Sequence, residues 1–158
     1  MKHPVPQVGP IDDLIEATLQ RADVRAAASA PEKPRASADP ALDERLTEQL
    51  KKGVAALLDK KAEKLVVLNL QGLTTISDYF VLATAGSDRQ AQALSDAVEL
   101  ALKAAGRRPL SIEGYSSAAW ILLDYGDVVF HVFHHEARRF YGLERLWGDA
   151  PDATAAFR

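Results

Sequence analysis

The sequence predicts an α/β domain in which helices flank a mixed five-stranded sheet. Three patterns carry this prediction. Residues 119–133 hold two strand-favouring runs around a glycine turn, residues 65–70 suit a strand buried on both faces, and apolar residues in 42–58 recur at helical spacing. With the other elements added, the expected order is α-β-β-α-β-β-β-α.

Length and composition limit the class of protein. The chain has 158 residues, 47% of them apolar, which suffices for one domain with a core and a tail. A net charge of −3 argues against a protein that wraps nucleic acid with its whole surface, and the lack of cysteine excludes disulfide and thiol chemistry. No apolar run approaches the ~20 residues of a membrane span, and no secretory signal is visible. We therefore expect a cytoplasmic protein that does not bind membranes.

Composition divides the chain into three parts. Five of the eight prolines precede residue 40, so residues 1–40 are expected to form a flexible N-terminal extension. Apolar residues at helical spacing from Ile11 to Leu19 leave a partner-binding segment as the alternative there. The domain itself is expected to cover 41–150, and residues 151–158 to form a C-terminal tail.

Capping residues bound the first two helices. Asp39-Pro40 suits a helix start, because aspartate can cap and proline fits the first helical position, and the apolar stripe then runs to about Asp59. Gly86-Ser87-Asp88 opens a second helix that Gly106 ends.

The other elements follow from shorter patterns. Strands are expected at 65–70, 79–84 and 110–113, before the hairpin. A last helix should cover 136–147, where Gly142 costs about 1 kcal/mol relative to alanine and indicates a close neighbour or a local break.

The hairpin is expected to turn at Tyr125-Gly126, which sets Asp124 opposite Asp127, Leu122 opposite Val129 and Trp120 opposite His131. Alternation then assigns one face to the core: Ile121, Leu123, Val128, Phe130 and Val132. The other face is mixed: Trp120, Leu122, Asp124, Asp127, Val129 and His131. Either a helix covers this mixed face, with tryptophan and histidine satisfied locally, or the face is an exposed docking patch anchored by tryptophan. The pattern alone does not separate the two.

The sequence offers little evidence for a catalytic or metal site. One candidate metal cluster lacks ligand spacing and is better interpreted as packing or surface residues: His131, His134, His135 and Glu136. The Gly86-Ser87 turn could hold a phosphate, but the paired acids of a two-metal transferase are missing, so a capped helix is preferred. No nucleophile motif is present. We expect no enzyme, no metal and no cofactor, with a nucleotide-dependent enzyme as the alternative.

Several motifs together resemble the ribosomal silencing factor RsfS, or Iojap, family. In chain order they are Ser77-Asp-Tyr-Phe-Val81, Gly86-Ser-Asp-Arg-Gln90, Ile112-Glu-Gly114, Trp120-Ile-Leu-Leu-Asp-Tyr-Gly-Asp127, His131-Val132 and Arg138-Arg-Phe-Tyr-Gly-Leu-Glu-Arg-Leu-Trp147. Each motif is short, but their order and spacing over residues 42–150 make the resemblance specific.

The resemblance implies a nucleotidyltransferase-like topology without transferase activity. Such proteins bind the large ribosomal subunit through ribosomal protein uL14 and sterically prevent the small subunit from joining, which represses translation under nutrient limitation. The resemblance assigns partner binding to Trp120, Leu122, Asp124, Asp127, His131, Tyr141, Leu143 and Glu144. Phe140, Leu146 and Trp147 are expected in the core, and Arg138 and Arg139 in local ion pairs, with a minor rRNA contact as the alternative. A homodimer of the free protein through the hairpin face also stays open.

Overall fold

The computed structural model describes residues 40–74 and 76–158, with side chains from residue 44 onward. The predicted extension, its apolar stripe and the Asp39 cap lie outside the described residues. In chain order the elements are α1 (Pro40–Asp59), β1 (Glu63–Asn69), β2 (Tyr79–Ala85), α2 (Asp88–Ala104), β3 (Ser111–Glu113), β4 (Trp120–Asp124), β5 (Val128–His134), α3 (His135–Tyr141), α4 (Leu143–Leu146) and α5 (Thr154–Phe157).

The five strands form one mixed sheet in the order β1-β2-β5-β4-β3. The central strands β2 and β5 are parallel, and every other neighbouring pair is antiparallel. The predicted α/β class with a mixed five-stranded sheet is therefore confirmed. The predicted order also holds up to β5, after which two short helices replace the single last helix and α5 follows.

The hairpin exists, but its predicted register is wrong. Asp124 pairs with Val129, Leu122 with His131 and Trp120 with Phe133. The loop is Gly126-Asp127, since the Tyr125 N–H donates to the Val128 carbonyl at 2.9 Å. The φ of Gly126 is 87° whereas that of Asp127 is not positive, which is the pattern of a type II′ turn. The glycine is thus the first loop residue and not the second, while the division of residues between the two faces is unchanged.

Helices α1 and α2 cover the first face of the sheet. Leu50 and Leu57 of α1 and Leu94 and Val98 of α2 are fully buried there, together with Phe130 of β5. Ser87 caps α2 as predicted, because its hydroxyl accepts a hydrogen bond from the Gln90 N–H.

Gly53 allows α1 to approach the sheet closely. A Cβ atom at this position would lie 2.4 Å from Cζ of Phe130, well inside van der Waals contact. The glycine therefore permits the phenylalanine ring to pack directly against the helix backbone, although glycine is a poor helix former.

Helices α3 and α4 cover the second face. Gly142 divides them, with φ of 56° and ψ of 44°, and its N–H donates to the Arg138 carbonyl. A Cβ at Gly142 would contact nothing within 4 Å, so of the two predicted alternatives the local break is the correct one. The break turns the chain so that Leu143 and Trp147 reach the second core.

Residues 151–158 pack against the outer edge of β1. The Asn69 N–H donates to the Pro151 carbonyl, the Ala153 N–H donates to the Val67 carbonyl, and Phe157 is buried in the first core. This segment covers a sheet edge whose backbone groups would otherwise be open to pairing with another chain. The predicted boundary at residue 150 stays a prediction, but the segment beyond it is an integral part of the packed structure.

Candidate partner-binding surface

Trp120 lies in the second core and not on the surface. It is 1% exposed and Leu122 is 2% exposed, because α3 and α4 fold back over this face of the hairpin. The Trp120 Nε1–H donates a hydrogen bond of 3.0 Å to Nδ1 of His131. The prediction of an exposed hairpin face is therefore wrong, and the interpretation in which a helix covers the face is confirmed. The Trp120 Nε1–H has a partner, whereas Nε2 of His131 is buried without one among the described residues.

His131 is enclosed by aromatic rings. The Phe80 ring meets it edge-on at 4.6 Å between centroids, and the Phe133 ring stacks on it at 6.0 Å. Burial lowers the pKa of His131 from 6.5 to about 3, since this environment cannot solvate an imidazolium. The ring is therefore neutral, with its proton on Nε2, because Nδ1 is the acceptor for Trp120.

The aromatic stack reaches the surface through Tyr141. Its ring lies 5.0 Å from that of Trp120 and is half-buried, and the next ring, Phe140, stands perpendicular to it at 5.0 Å and is 64% exposed. We call the surface formed by Phe140 and Tyr141, with Glu144 beside it, the α3 aromatic surface. Its outer rings are held in place by a rigid buried layer, so little conformational freedom is lost when a partner contacts them.

Glu144 is tied to a buried arginine. Nε of Arg138 donates to its Oε1 at 2.9 Å, and the same guanidinium donates to Oγ1 of Thr84 at 2.9 Å and to the Lys64 carbonyl. Arg138 is 8% exposed, so an unpaired charge there would carry a large desolvation cost. The local pairing predicted for Arg138 is confirmed, whereas the one predicted for Arg139 is wrong, since no acidic side chain of the described residues pairs with it.

Asp124 and Asp127 do not face each other. Asp124 Oδ1 accepts from the Gly126 N–H at 2.7 Å, which stabilises the turn. Asp127 accepts from Arg107 through both carboxylate oxygens, at 2.9 and 3.0 Å. The predicted pairing of Asp124 with Asp127 is therefore wrong. Arg107 neutralises Asp127, and Asp124 hydrogen-bonds within the turn.

Comparison with known proteins identifies the family. A family model described as "Ribosomal silencing factor during starvation", RsfS, matches residues 43–157. The chain belongs to this family. The predicted family membership is confirmed, and ribosomal silencing is the role of the family as a whole.

Curated RsfS proteins align over most of their own length. The chain is 44% identical to the ribosomal silencing factor RsfS of Halalkalibacterium halodurans over 104 residues, which is 66% of this chain and 89% of that protein. It is 42% identical to the RsfS protein of Bacillus subtilis over 108 residues, covering 68% and 92%. The chloroplastic Iojap protein of Arabidopsis thaliana is 37% identical over 100 residues, covering 63% of this chain and 41% of that one.

A solved structure shares the fold. The crystal structure of a Chromobacterium violaceum protein superposes with a TM-score of 0.63 at 39% identity, covering 64% of this chain and 84% of that one. The fold is thus shared with that structure, and the RsfS family model, which matches residues 43–157, includes α3.

The eight residues predicted from the RsfS resemblance do not share one environment. Trp120, Leu122, His131, Tyr141 and Leu143 converge in or on the second core. Asp124 and Asp127 lie at the turn end of the hairpin, where Asp124 is two residues, roughly 7 Å, along β4 from Leu122, and Glu144 lies on α4 bound to Arg138. The structure therefore does not join all eight positions into one patch.

The alternative sites on this RsfS-family chain offer little chemistry. At the Gly86-Ser87 turn the Gly86 N–H donates to Oε1 of Gln90 at 2.8 Å, while Ser87 accepts from the Gln90 N–H. Gln90 thus occupies donors that a phosphate would need. Among residues 44–74 and 76–158, no group of three or more His, Asp or Glu side chains could hold a metal ion, and no described helix could span a membrane.

Sequence reasoning misplaced Phe140. It was expected in the core beside Leu146 and Trp147, of which Trp147 is indeed fully buried and Leu146 packs against the second core. Within α3, however, Ala137 and Tyr141 are four residues apart and face the sheet, which leaves Phe140 pointing away from it. Recognising that Gly142 ends the helix would have separated Phe140 from the later apolar residues.

Proposed function

We propose that this chain binds the large ribosomal subunit through ribosomal protein uL14 and prevents the small subunit from joining, so that translation is repressed under nutrient limitation. The family assignment supports a role in ribosomal silencing. A domain that occupies the face where the other subunit must dock acts by its position alone. The proposal places the protein in the cytoplasm and requires neither catalysis nor a cofactor.

The α3 aromatic surface carries this proposal. Tyrosine and tryptophan dominate binding hot spots because they offer large contact areas at a low entropy cost. Here Phe140 and Tyr141 present such area, while Trp120 supports Tyr141 from below at 5.0 Å. Trp120, Leu122, His131 and Leu143 then contribute by fixing the surface, and Tyr141 and Glu144 by touching the partner.

The acidic residues supply a separate, outer contribution. The chain carries a net charge of −3, which favours association with a basic protein. Asp124 and Asp127 would contact uL14 only if the interface extends to the hairpin turn. Their loss is therefore expected to cost less affinity than loss of the α3 aromatic surface.

Sedimentation of purified subunits tests the proposal. Saturating protein is expected to lower the fraction of joined ribosomes, and Tyr141→Ala and Phe140→Ala should each weaken binding to the large subunit by tenfold or more, about 1.4 kcal/mol, because each removes an aromatic contact. Leu100→Ala is the matched control, since Leu100 is a large exposed apolar residue on α2. Asp124→Lys with Asp127→Lys shows whether the contact reaches the turn.

Two outcomes separate the parts of the proposal. Undiminished subunit joining at saturating protein contradicts antiassociation. If both aromatic variants bind normally and the Asp124/Asp127 variant loses binding, the interface lies at the hairpin turn. Light scattering over a concentration series shows whether the same surface instead forms a homodimer, in which case Phe140→Ala yields monomers.

A further inference from the structure

A basic cleft lies beside the α3 aromatic surface, between the sheet and helices α3 and α4. Its volume is about 530 Å³, within the range of ligand pockets, which runs from roughly 300 to 1,000 Å³. The charged side chains that line it are Lys64, Arg138, Arg139, Glu144 and Arg145. Of this lining, the proposed contact with the ribosome uses Glu144 alone.

The sheet topology places the cleft where α/β proteins bind ligands. Strands β2 and β5 are parallel neighbours and end together, at Ala85 and His134. The chain then leaves β2 into α2 on the first face and leaves β5 into α3 on the second face. Neighbouring parallel strands whose helices depart to opposite faces form a crevice at their carboxyl ends, the usual binding position in open α/β sheets.

The charge in the cleft is opposite to that of the chain. Four cationic side chains and the single carboxylate of Glu144 give a formal charge of +3, from +4 and −1, whereas the whole chain carries −3. Glu144 is bound to Arg138. Arg139, Arg145 and Lys64 have no acidic partner in the described part of the chain, so three cations border the same opening without neutralisation.

The walls of the cleft are pre-organised. Arg138 is fixed by Glu144, Thr84 and the Lys64 carbonyl. Lys64 has a φ of 49°, a left-handed conformation that non-glycine residues seldom adopt, at a point where the β1–β2 register is irregular. Such irregularities re-aim a strand, and here the irregularity directs the Lys64 carbonyl to Arg138. Arg138 is thus held in place before any ligand arrives, and the exposed Lys64, Arg139 and Arg145 border the same opening.

We propose that this cleft binds a phosphate group. Arginine guanidinium matches phosphate oxygens in pairs, and lysine adds a point charge. Val66 is the one aliphatic side chain of the lining, and among the described residues that line the cleft His135 supplies the one ring, whereas four side chains are cationic. The cleft therefore recognises the phosphate itself, whether it belongs to an RNA backbone or to a free nucleotide.

Binding titrations with an RNA and with small phosphate compounds test the site. The probes are a fluorescent single-stranded RNA oligonucleotide, followed by anisotropy, and ATP and inorganic pyrophosphate, followed by calorimetry. We expect at least one probe to bind, and Arg139→Glu or Arg145→Glu to weaken its binding about tenfold or more, as for lost hydrogen bonds to a charged group. Arg139→Lys should lose less, since the charge is kept.

Charge-matched variants elsewhere provide the control. Arg89→Glu on α2 changes the net charge equally at an exposed position outside the cleft and should alter binding less than twofold. For RNA, removal of a contact should also lower the slope of log K against log salt by about 1. The proposal is overturned if no probe binds at millimolar concentration, or if Arg89→Glu weakens binding as much as the cleft variants do. Neither result depends on ribosome binding.

Discussion

The two faces of the sheet are closed in different ways. The first face is covered by two long helices, of 20 and 17 residues, and its core is almost wholly apolar. The second face is covered by helices of seven and four residues joined at a left-handed glycine, and its core contains a neutral histidine hydrogen-bonded to a tryptophan. The side chains proposed to meet a partner and a phosphate lie on this second side, which the shorter helices cover.

The largest effect expected from this difference is a dependence of stability on pH that arises in the second core. The pKa of His131 is about 3 when folded and 6.5 when unfolded, so below pH 6.5 the unfolded chain binds the extra proton. The free energy of unfolding should fall as pH drops from 6.5 to 3, by at most about 1.4 kcal/mol per pH unit and on the order of 4–5 kcal/mol in all.

Urea denaturation at several pH values measures this dependence. His131→Gln keeps an acceptor for Trp120 but does not titrate, so its stability should change less over the same pH interval than that of the wild type. His135→Gln, at an exposed position, should follow the wild type. Equal pH dependence in the wild type and in His131→Gln would show that His131 does not limit acid stability.

Truncation of one phenylalanine on each face compares the cores directly. Phe130→Ala on the first face should lower the free energy of unfolding by about 3–5 kcal/mol, because the long helices cannot collapse into the cavity. Phe133→Ala on the second face should cost nearer the lower end of that range, since the short helices can adjust. Chemical denaturation measures both values, and a larger loss for Phe133 than for Phe130 would reverse the comparison.

An added methyl group at Gly53 tests how tightly the first face is closed. Alanine gains roughly 1 kcal/mol in helix propensity, but its Cβ would lie 2.4 Å from Phe130, and overpacking typically costs about 1–3 kcal/mol. A net destabilisation of up to about 2 kcal/mol is expected in thermal or urea unfolding. Gly53→Ala combined with Phe130→Leu should recover part of the lost stability, because the smaller leucine side chain leaves room for the added Cβ. A stabilised single variant would mean that the helix moves freely.

Periodicity predicted the first face well and the second poorly. The apolar stripes of α1 and α2, the Ser87 cap and the buried run of β1 are local signals, and the structure agrees with them. The hairpin register was displaced because a glycine can occupy either position of a two-residue turn. Moving the loop by one residue keeps each side chain on its face, so the two faces were assigned correctly although every pair was wrong.

The position of the functional side chains depended on tertiary contacts that no local pattern encodes. Alternation placed Trp120 and His131 on one face but could not show that α3 returns to cover them. The cleft is likewise assembled from the start of β1, the end of β2 and the last helices, which are distant in sequence. The Arg138-Arg139 pair was the one local sequence pattern that indicated the cleft, and such a pair is equally typical of a solvated helix.

The smallest effect on stability is expected at the residue proposed to matter most for binding. Phe140 is 64% exposed and contacts little of the second core, so Phe140→Ala should change the free energy of unfolding by no more than about 0.5 kcal/mol. Phe133→Ala, a phenylalanine lost from the same face but from its interior, is the matched contrast. If Phe140→Ala unfolds as the wild type does and still fails to bind the large subunit, its exposed ring serves recognition alone. A loss above 1 kcal/mol would instead assign Phe140 to the packing of α3, and the distinction between a stabilising face and a binding face would then no longer hold at this helix.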